Sequence, residues 1–459
     1  MRLLRDAAEN YPAWMEAIRT AKHSIYFETY VVHADETGHA FARLLADRAR
    51  EGVHVRVIYD WFGALGSASF LFWHKMRKAG VQVRCFHPPH LDDPLEWFRR
   101  DHRKILVVDD EVGFVSGLCV GDAWVGDAAR GIAPWRDTGV TIAGPAVSDL
   151  SRAFAGVWNS LGRRNPIPLV SGHDRRLPPS GGVSLRIVPG LPGIGGLYRL
   201  DLLIAALARH SIWLTDAYFY ATPAYVQSLR AAALDRIDVR LLVPRTSDIP
   251  VVRALSRVGY RSLLEAGVRI FEWNGSMLHA KTAVVDERWS RVGSTNLNIA
   301  SWMGNYELDV VVENEEFAHA MRRMYLNDLA HATEIVLEDG AKVRPSAPRH
   351  DQKRQAAARR SVGRAATGVV AMGTTAGAAL TRSRPLGPAE APLLISVAIV
   401  LLALAALMVF FPRLAAMAGA LCCAWIGLTL MLKGIRVHLA AVRQPPDAAS
   451  KRPNTASSN

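Results

Sequence analysis

Asp101-His102-Arg103-Lys104-Ile105-Leu106-Val107-Val108-Asp109 and Leu278-His279-Ala280-Lys281-Thr282-Ala283-Val284-Val285-Asp286 share one pattern, HxKxxxxD. The run after each Lys is apolar and β-branched, which predicts a buried strand. Strand alternation then puts His102 and Lys104 on one face, and His279 and Lys281 likewise. Asp109 and Asp286 stand seven residues beyond their histidines, an odd number that turns them to the other face. Asp109 also opens a turn, Asp109-Asp110-Glu111. Both acids read first as structural, although they complete the motif and stay in the candidate catalytic set.

Working outward, the motifs sit inside a longer repeat. Lys22-His23-Ser24-Ile25-Tyr26 resembles Arg209-His210-Ser211-Ile212-Trp213, and Val55-Arg56-Val57 resembles Val239-Arg240-Leu241. Ala79-Gly80-Val81-Gln82-Val83 resembles Ala266-Gly267-Val268-Arg269-Ile270. Offsets of 184 to 187 residues describe two copies of one unit. Short β-branched runs alternate with helical patterns, which predicts an α/β fold with mixed, mostly parallel sheets flanked by helices. The expected organisation is a first half over 1–165, with its motif at 102–109, and a second over 186–335, with its motif at 279–286. A basic flexible linker at 336–390, two membrane helices within 391–432 and a polar tail at 433–459 complete it.

A neutral imidazole can attack phosphorus, and a protonated one can donate to a leaving oxygen. Lys supplies positive charge for the equatorial oxygens of a transferring phosphoryl group. Two His-Lys pairs, one from each copy and packed face to face, would therefore make one site. One histidine becomes a phosphohistidine while the other protonates the departing alcohol and deprotonates the incoming one. The scheme needs no metal and no cofactor. A lone His on a strand is ordinarily a core residue, but a duplicated pairing with Lys argues for chemistry.

With two such motifs in a duplicated α/β unit, the chain resembles the phospholipase D superfamily. Tyr26-Phe27-Glu28-Thr29-Tyr30, Val57-Ile58-Tyr59-Asp60-Trp61-Phe62-Gly63 and Trp135-Arg136-Asp137-Thr138 make it most similar to the bacterial cardiolipin synthases there, over about residues 10–335. The resemblance implies two sheets with the active site at their interface, His102 as nucleophile, His279 as acid and base, and Lys104 and Lys281 on the phosphate. It also implies phosphate-binding Ser294 and Asn296, which lie 15 and 17 residues after His279. The first copy departs here, with Gly117 and Cys119 at the matching positions. Gly117 still offers a backbone N–H, whereas Cys119 is a weak partner. Each catalytic histidine needs a carboxylate to hold its tautomer. The matches are Asp137, 35 residues after His102, and Glu307, 28 after His279. The implied substrates are phospholipids, with phosphatidylglycerol as acceptor.

Composition points the same way. The chain has 55 Lys and Arg against 42 Asp and Glu, a net charge of +13 that suits an anionic partner. Its four cysteines form no CxxC, which argues against a disulfide scaffold or structural zinc. The first residues contain no apolar stretch long enough for a signal peptide. Residues 391–411 and 414–432 carry no charge, and each run is close to the ~20 residues that span a bilayer. They predict a membrane hairpin turning at Pro412-Arg413. Arg382 and Arg384 precede it and Lys433, Arg436 and Arg443 follow, so the positive-inside rule puts the catalytic region on the cytoplasmic face of the inner membrane. Residues 342–364 carry eight cations against Asp351 alone, a tether that an anionic surface would attract. Pro94-Leu95-Glu96-Trp97-Phe98, beside Arg99 and Arg100, and Phe70-Leu71-Phe72-Trp73 are candidate headgroup contacts or ordinary core.

Two rival readings remain. A phosphodiesterase acting on phospholipid or nucleic acid would use the same chemistry, but the hairpin and the absence of interleaved aromatic and basic residues disfavour nucleic acid. A non-catalytic lipid-binding protein with a decaying first half would account for Gly117 and Cys119, but the four intact His and Lys residues argue against it.

Overall fold

The computed structural model describes residues 1–89, 99–162, 164–168, 178, 180–338 and 342–345, with ten helical residues between 417 and 432. The chain divides into a unit of residues 1–88 and 98–391 and a second of 89–97 and 392–459. The first unit opens with β1 (Arg2–Arg5), α1 (Asp6–Thr20), β2 (Ser24–Thr29), α2 (Glu36–Arg50), β3 (His54–Asp60), α3 (Phe70–Lys78) and β4 (Gln82–Phe86). Next come β5 (Arg100–Asp101), β6 (Ile105–Val108), β7 (Val112–Ser116), α4 (Asp122–Val125), β8 (Thr138–Ala143) and α5 (Val147–Ser160). The second copy begins with β9 (Ser184–Gly190), α6 (Gly196–Leu207), β10 (Ser211–Thr215), α7 (Pro223–Leu234), β11 (Asp238–Pro244), α8 (Pro250–Glu265) and β12 (Arg269–Trp273). It ends with β13 (Thr282–Val285), β14 (Trp289–Gly293), β15 (Asn305–Glu313), α9 (Glu315–Leu329), β16 (Ala332–Glu338) and β17 (Lys342–Pro345).

Two sheets result. One runs β1-β8-β7-β6-β2-β3-β4, and the other β17-β16-β12-β11-β10-β13-β14-β15-β5 with β9 also on β15. Both are mixed, but the expectation of mostly parallel pairing is corrected. Among the described strands, parallel pairing joins β2-β3-β4, β10-β11-β12 and, briefly, β15-β5, and the other strand pairs are antiparallel. The reason lies in the turn that ends each motif. Asp109 and Asp110 have φ of 56° and 56°, and Asp286 and Glu287 have 53° and 52°. Two consecutive left-handed residues make a tight hairpin, which Asp tolerates, so each motif strand folds straight back instead of crossing over through a helix.

The motif strands are buried on both faces, which is why they read as unbroken apolar runs. Ile105 and Val107 share a core with Val284, Val292, Leu308, Val310 and Val312 of the other copy. Leu106 and Val108 face α1 and α2 through Trp14, Ile18, Phe41 and Leu45. The two sheets thus pack against each other through one face of each motif strand. Helix starts are capped as their sequences require: Asp35 accepts from the Gly38 N–H, Thr222 from Tyr225 and Asn314 from Phe317.

The strands β16 and β17 occupy the beginning of the stretch expected as linker, which from residue 346 lies outside the described residues. The run 391–411, the tail 433–459 and the Pro94–Phe98 segment also lie outside them. Of the run 414–432, the described residues are helical, and Met417, Leu421, Leu428, Met431 and Leu432 are exposed. Among the described residues, no helix is long and apolar enough to cross a membrane.

Candidate active site

The site begins where the two copies exchange backbone. Arg100 and Asp101 pair in parallel with Asn305 and Tyr306, and the His102 N–H donates to Tyr306 O at 2.9 Å. Symmetrically, Arg136 bridges Leu278, and the His279 N–H donates to Arg136 O at 2.7 Å. Each motif histidine therefore hangs on the strand of the opposite copy. The next residue along that strand is the carboxylate: Glu307 after Tyr306, and Asp137 after Arg136.

The side chains follow. His102 Nδ1 lies 3.0 Å from Glu307 Oε2, and His279 Nδ1 lies 2.7 Å from Asp137 Oδ2. Both carboxylates named from the sequence hold a histidine, but across the copies. Counting Asp137 from His102 and Glu307 from His279 gives the reverse pairing, which is corrected here. Burial opposes ionisation of Glu307 and Asp137, yet the facing imidazole and the lysine charge beside it hold both below the usual carboxylate range. An anionic carboxylate on Nδ1 keeps the proton there and leaves Nε2 as the free base. Burial, only partly opposed by Glu307, pushes His102 down to about 4. Burial and the Lys281 charge take His279 down to about 3, against the pull of Asp137. Both imidazoles are therefore neutral at pH 7.

Lys104 and Lys281 complete the convergence. Each ammonium donates to the carbonyl of its own histidine, two residues back. Each also stands over a tyrosine ring, Lys104 at 5.3 Å from Tyr30 and Lys281 at 5.7 Å from Tyr218. The charges of both lysines act on both histidines, so the four groups form one site. Burial lowers both ammonium pKa values, Lys281 to about 8, against the pull of Asp137. Two desolvated cations side by side are costly unless an anion enters between them.

The two carboxylates are held differently. Glu307 accepts from Ser294 Oγ at 2.6 Å, Ser301 Oγ at 2.7 Å and Asn305 Nδ2 at 3.1 Å. Asp137 accepts from Trp124 Nε1 at 3.1 Å and the Thr138 N–H at 2.8 Å. This explains Gly117. A Cβ there would stand 2.2 Å from Asp137 Oδ1, so the hydroxyl that serves the second copy has no room in the first. Ser294 spends its hydroxyl on Glu307, whereas Asn296 keeps a buried Oδ1 without a hydrogen-bond partner. Cys119, opposite it in the repeat, is buried with its thiol pKa raised by burial, and its carbonyl accepts from Tyr11.

Asp109 and Asp286 are not brought to this site. Asp109 accepts from the N–H groups of Lys22, His23 and Ser24 at 2.7–2.8 Å, and Asp286 from Arg209, His210 and Ser211 at 2.8–2.9 Å. They clamp the start of the neighbouring strand, at the far end of the motif strand from the histidine. Their place in the catalytic set is corrected accordingly.

Several contributors carry no motif. Trp124 and Trp135 flank His279 with ring centroids at 5.6 and 5.7 Å, and Tyr30 lies edge-on to His102 at 5.1 Å. Arg136 sits between Asp328 and Asp6, at 2.7 and 3.1 Å, and so fixes the strand that carries Asp137. The Trp135-Arg136-Asp137 run and Tyr30 stand within the stretches that carry the resemblance, whereas Trp124, Tyr218, Asp6 and Asp328 have no such mark in the sequence. Among the described residues, no group of three or more His, Cys, Asp or Glu side chains is placed to hold a metal ion.

Two histidine-lysine pairs, each histidine tied to the other copy's carboxylate, on a duplicated α/β unit define a phospholipase D-like enzyme. A family model described as "Cardiolipin synthase, PLD-like domain" matches residues 14–121 and 203–329, which include both motifs. The chain belongs to this family. It is 35% identical over 352 residues to cardiolipin synthase A of Pseudomonas fluorescens, covering 74% of this chain and 71% of that one. It is 34% identical over 348 residues to the cardiolipin synthase of Geobacillus kaustophilus, covering 73% and 67%. In fold it is similar to phosphatidylserine synthase of Haemophilus influenzae, with a TM-score of 0.58 at 16% identity, covering 72% of this chain and 87% of that one.

Proposed function

We propose that the chain moves a phosphatidyl group onto a hydroxyl of phosphatidylglycerol through a phosphohistidine on His102. The carrying observation is the crossed pair of neutral histidines beside two buried lysines, in a chain that belongs to the cardiolipin synthase family. His102 Nε2 attacks the donor phosphorus as the bond to the leaving alcohol breaks. Lys104, Lys281 and Asn296 take the phosphate oxygens. The entering phosphate anion raises the proton affinity of His279, which takes up a proton from solvent as the complex forms and gives it to the leaving oxygen. The roles then reverse. His279 Nε2 removes the proton of the incoming hydroxyl, its oxygen bonds phosphorus, and the bond to His102 breaks. Glu307 and Asp137 orient the rings and stabilise whichever imidazole is charged.

The same reading assigns runs 391–411 and 414–432 to a membrane hairpin, with the catalytic unit on the cytoplasmic face beside anionic lipid. Labelling of a cysteine placed at Pro412 from the outer side only is the expected result; labelling from the cytoplasmic side only would refute the orientation.

The decisive assay incubates purified full chain with mixed micelles of phosphatidylglycerol, with and without phosphatidylethanolamine, beside His102→Ala. Cardiolipin and free glycerol from the wild type, both lost in the variant, are expected. Phosphatidic acid alone would make water the acceptor and the protein a phospholipase.

A further inference from the structure

Two exposed apolar edges leave the fold beside His102, one from each copy. The first starts at Asp60, the last residue of β3, whose carboxylate accepts from the Asp101 N–H at 2.9 Å, one residue before His102. The chain from there reaches α3 and exposes Leu65, then Phe70 and Leu71 at 80% and 56%. Phe72, Trp73 and Met76 of the same helix are buried, so only its opening turn is bare. The second edge starts at Gly190, which pairs with Glu307, the carboxylate of His102. It exposes Leu191 and Ile194, and the Gly193 N–H bonds the carbonyl of half-exposed Met303, just before Asn305 and Glu307.

Charge is arranged behind the first edge. The helix α3 contains no acid and exposes Lys75, Arg77 and Lys78 beyond its bare first turn. At 1.5 Å per residue, Lys75 and Lys78 stand about 7–12 Å along the axis from Phe70. A headgroup layer is roughly 5–8 Å thick per leaflet, so side chains of this length reach phosphates when Phe70 touches the acyl chains. An apolar tip with a cationic collar on one copy, and a second exposed apolar edge that starts beside the carboxylate of His102, together describe contact with an anionic bilayer.

We propose that Leu65, Phe70 and Leu71 of one copy and Leu191, Ile194 and Met303 of the other are the lips on which the catalytic unit rests on an anionic phospholipid bilayer. This holds His102 at the headgroup level, so that a donor lipid enters the site without leaving the leaflet. The inference rests on the phosphatidyl-transfer reading above. Other exposed leucines act as controls: Leu234, at 66%, ends α7 at the opposite end of the sheet from the histidines.

The test uses full-length chain with vesicles of phosphatidylglycerol and phosphatidylethanolamine, and a readout independent of catalysis. A polarity-sensitive fluorophore is placed on Phe70→Cys or Leu234→Cys, with Cys85, Cys422 and Cys423 replaced by Ser. The Phe70 label is expected to shift to the blue on adding vesicles and to be quenched by nitroxide lipids, and the Leu234 label to stay aqueous. A Phe70 label that remains in water overturns the proposal, even in an enzyme that makes cardiolipin. A label already shielded without lipid also overturns it, in favour of a second copy or another protein. Conversely, insertion without lipid turnover would sink the functional reading and leave the docking surface standing. In kinetics, Phe70→Ser with Leu71→Ser should lose tenfold or more on vesicles yet stay within twofold on short-chain phosphatidylglycerol below its micellar concentration. Equal loss on both substrates would contradict a docking role.

Discussion

His102 and His279 occupy the same place in two copies of one unit, yet their surroundings have parted. Around His102 the supporting groups are hydroxyls and an amide, Ser294, Ser301 and Asn305, gathered on a long carboxylate. Around His279 they are indoles, with Trp124 bonded to a short carboxylate and Trp135 beside the ring. The difference teaches that what the duplication preserves is the aim of each imidazole, while the means of fixing its carboxylate can change with carboxylate length. Glycine goes with Asp and serine with Glu, because the shorter acid sits where the serine would be.

The comparison is broken most forcefully at the histidines. His102→Ala and His279→Ala should each reduce transfer by about 10³-fold or more, since general acid-base and nucleophilic roles both disappear. They should differ in one respect. With radiolabelled donor, His279→Ala should retain a slowly formed phosphoenzyme and His102→Ala none; label retained only in the latter would exchange the roles. Next in size, Asp328→Ala leaves Arg136 buried with a lost partner, and unfolding free energy should fall by about 3–5 kcal/mol. Denaturant midpoints would measure it, and a change below 1 kcal/mol would show that Asp6 alone suffices.

Substitutions at the matching glycine and serine sharpen the contrast. Gly117→Ser should lower kcat by about 10–100-fold through displacement of Asp137, as misplacing an orienting partner does elsewhere. Ser294→Ala should cost about tenfold, because Ser301 and Asn305 still hold Glu307. Equal effects would mean that the two surroundings are interchangeable. The smallest effect concerns pH. Burial depresses both histidines, so the free enzyme keeps both imidazoles neutral down to about pH 4, and their NMR signals should show no titration near 6.5. Lys281, lowered to about 8, loses its charge first, and kcat/KM should fall by a further tenfold per unit above that pH. Lys281→Arg should move this limb upward, whereas Lys104→Arg should not.

The depressed histidines also bear on stability, because an unfolded chain binds protons at these imidazoles near pH 6.5 while the folded chain does not. Their contribution is intact above that pH and is lost as pH falls towards about 4 and 3.

Much of the site is legible in the sequence because the chemistry is local to short runs. His102 and Lys104 share a strand face, Asp109 and Asp286 face away and bind turn amides, and the repeat marks at residues 22–26 and 209–213 are the segments those acids clamp. What is not legible depends on the far side of the molecule. No spacing within one copy says that Glu307 belongs to His102, since that follows from Asp101 pairing with Tyr306. The sheet direction is not legible because the period of the strands carries no sign; the left-handed Asp-Asp and Asp-Glu turns decide it. Phe70-Leu71-Phe72-Trp73 read as a choice between core and surface, and the helix divides it two and two.

The crossed pairing also sets how this protein can change over generations. A duplicated unit usually frees one copy to drift while the other keeps working. Here a silent first copy would take Asp137 from His279, and a silent second would take Glu307 from His102. Gly117 and Cys119 are therefore no sign of decay in a redundant half. Neither copy has a spare, and selection must act on the two as a single inheritance.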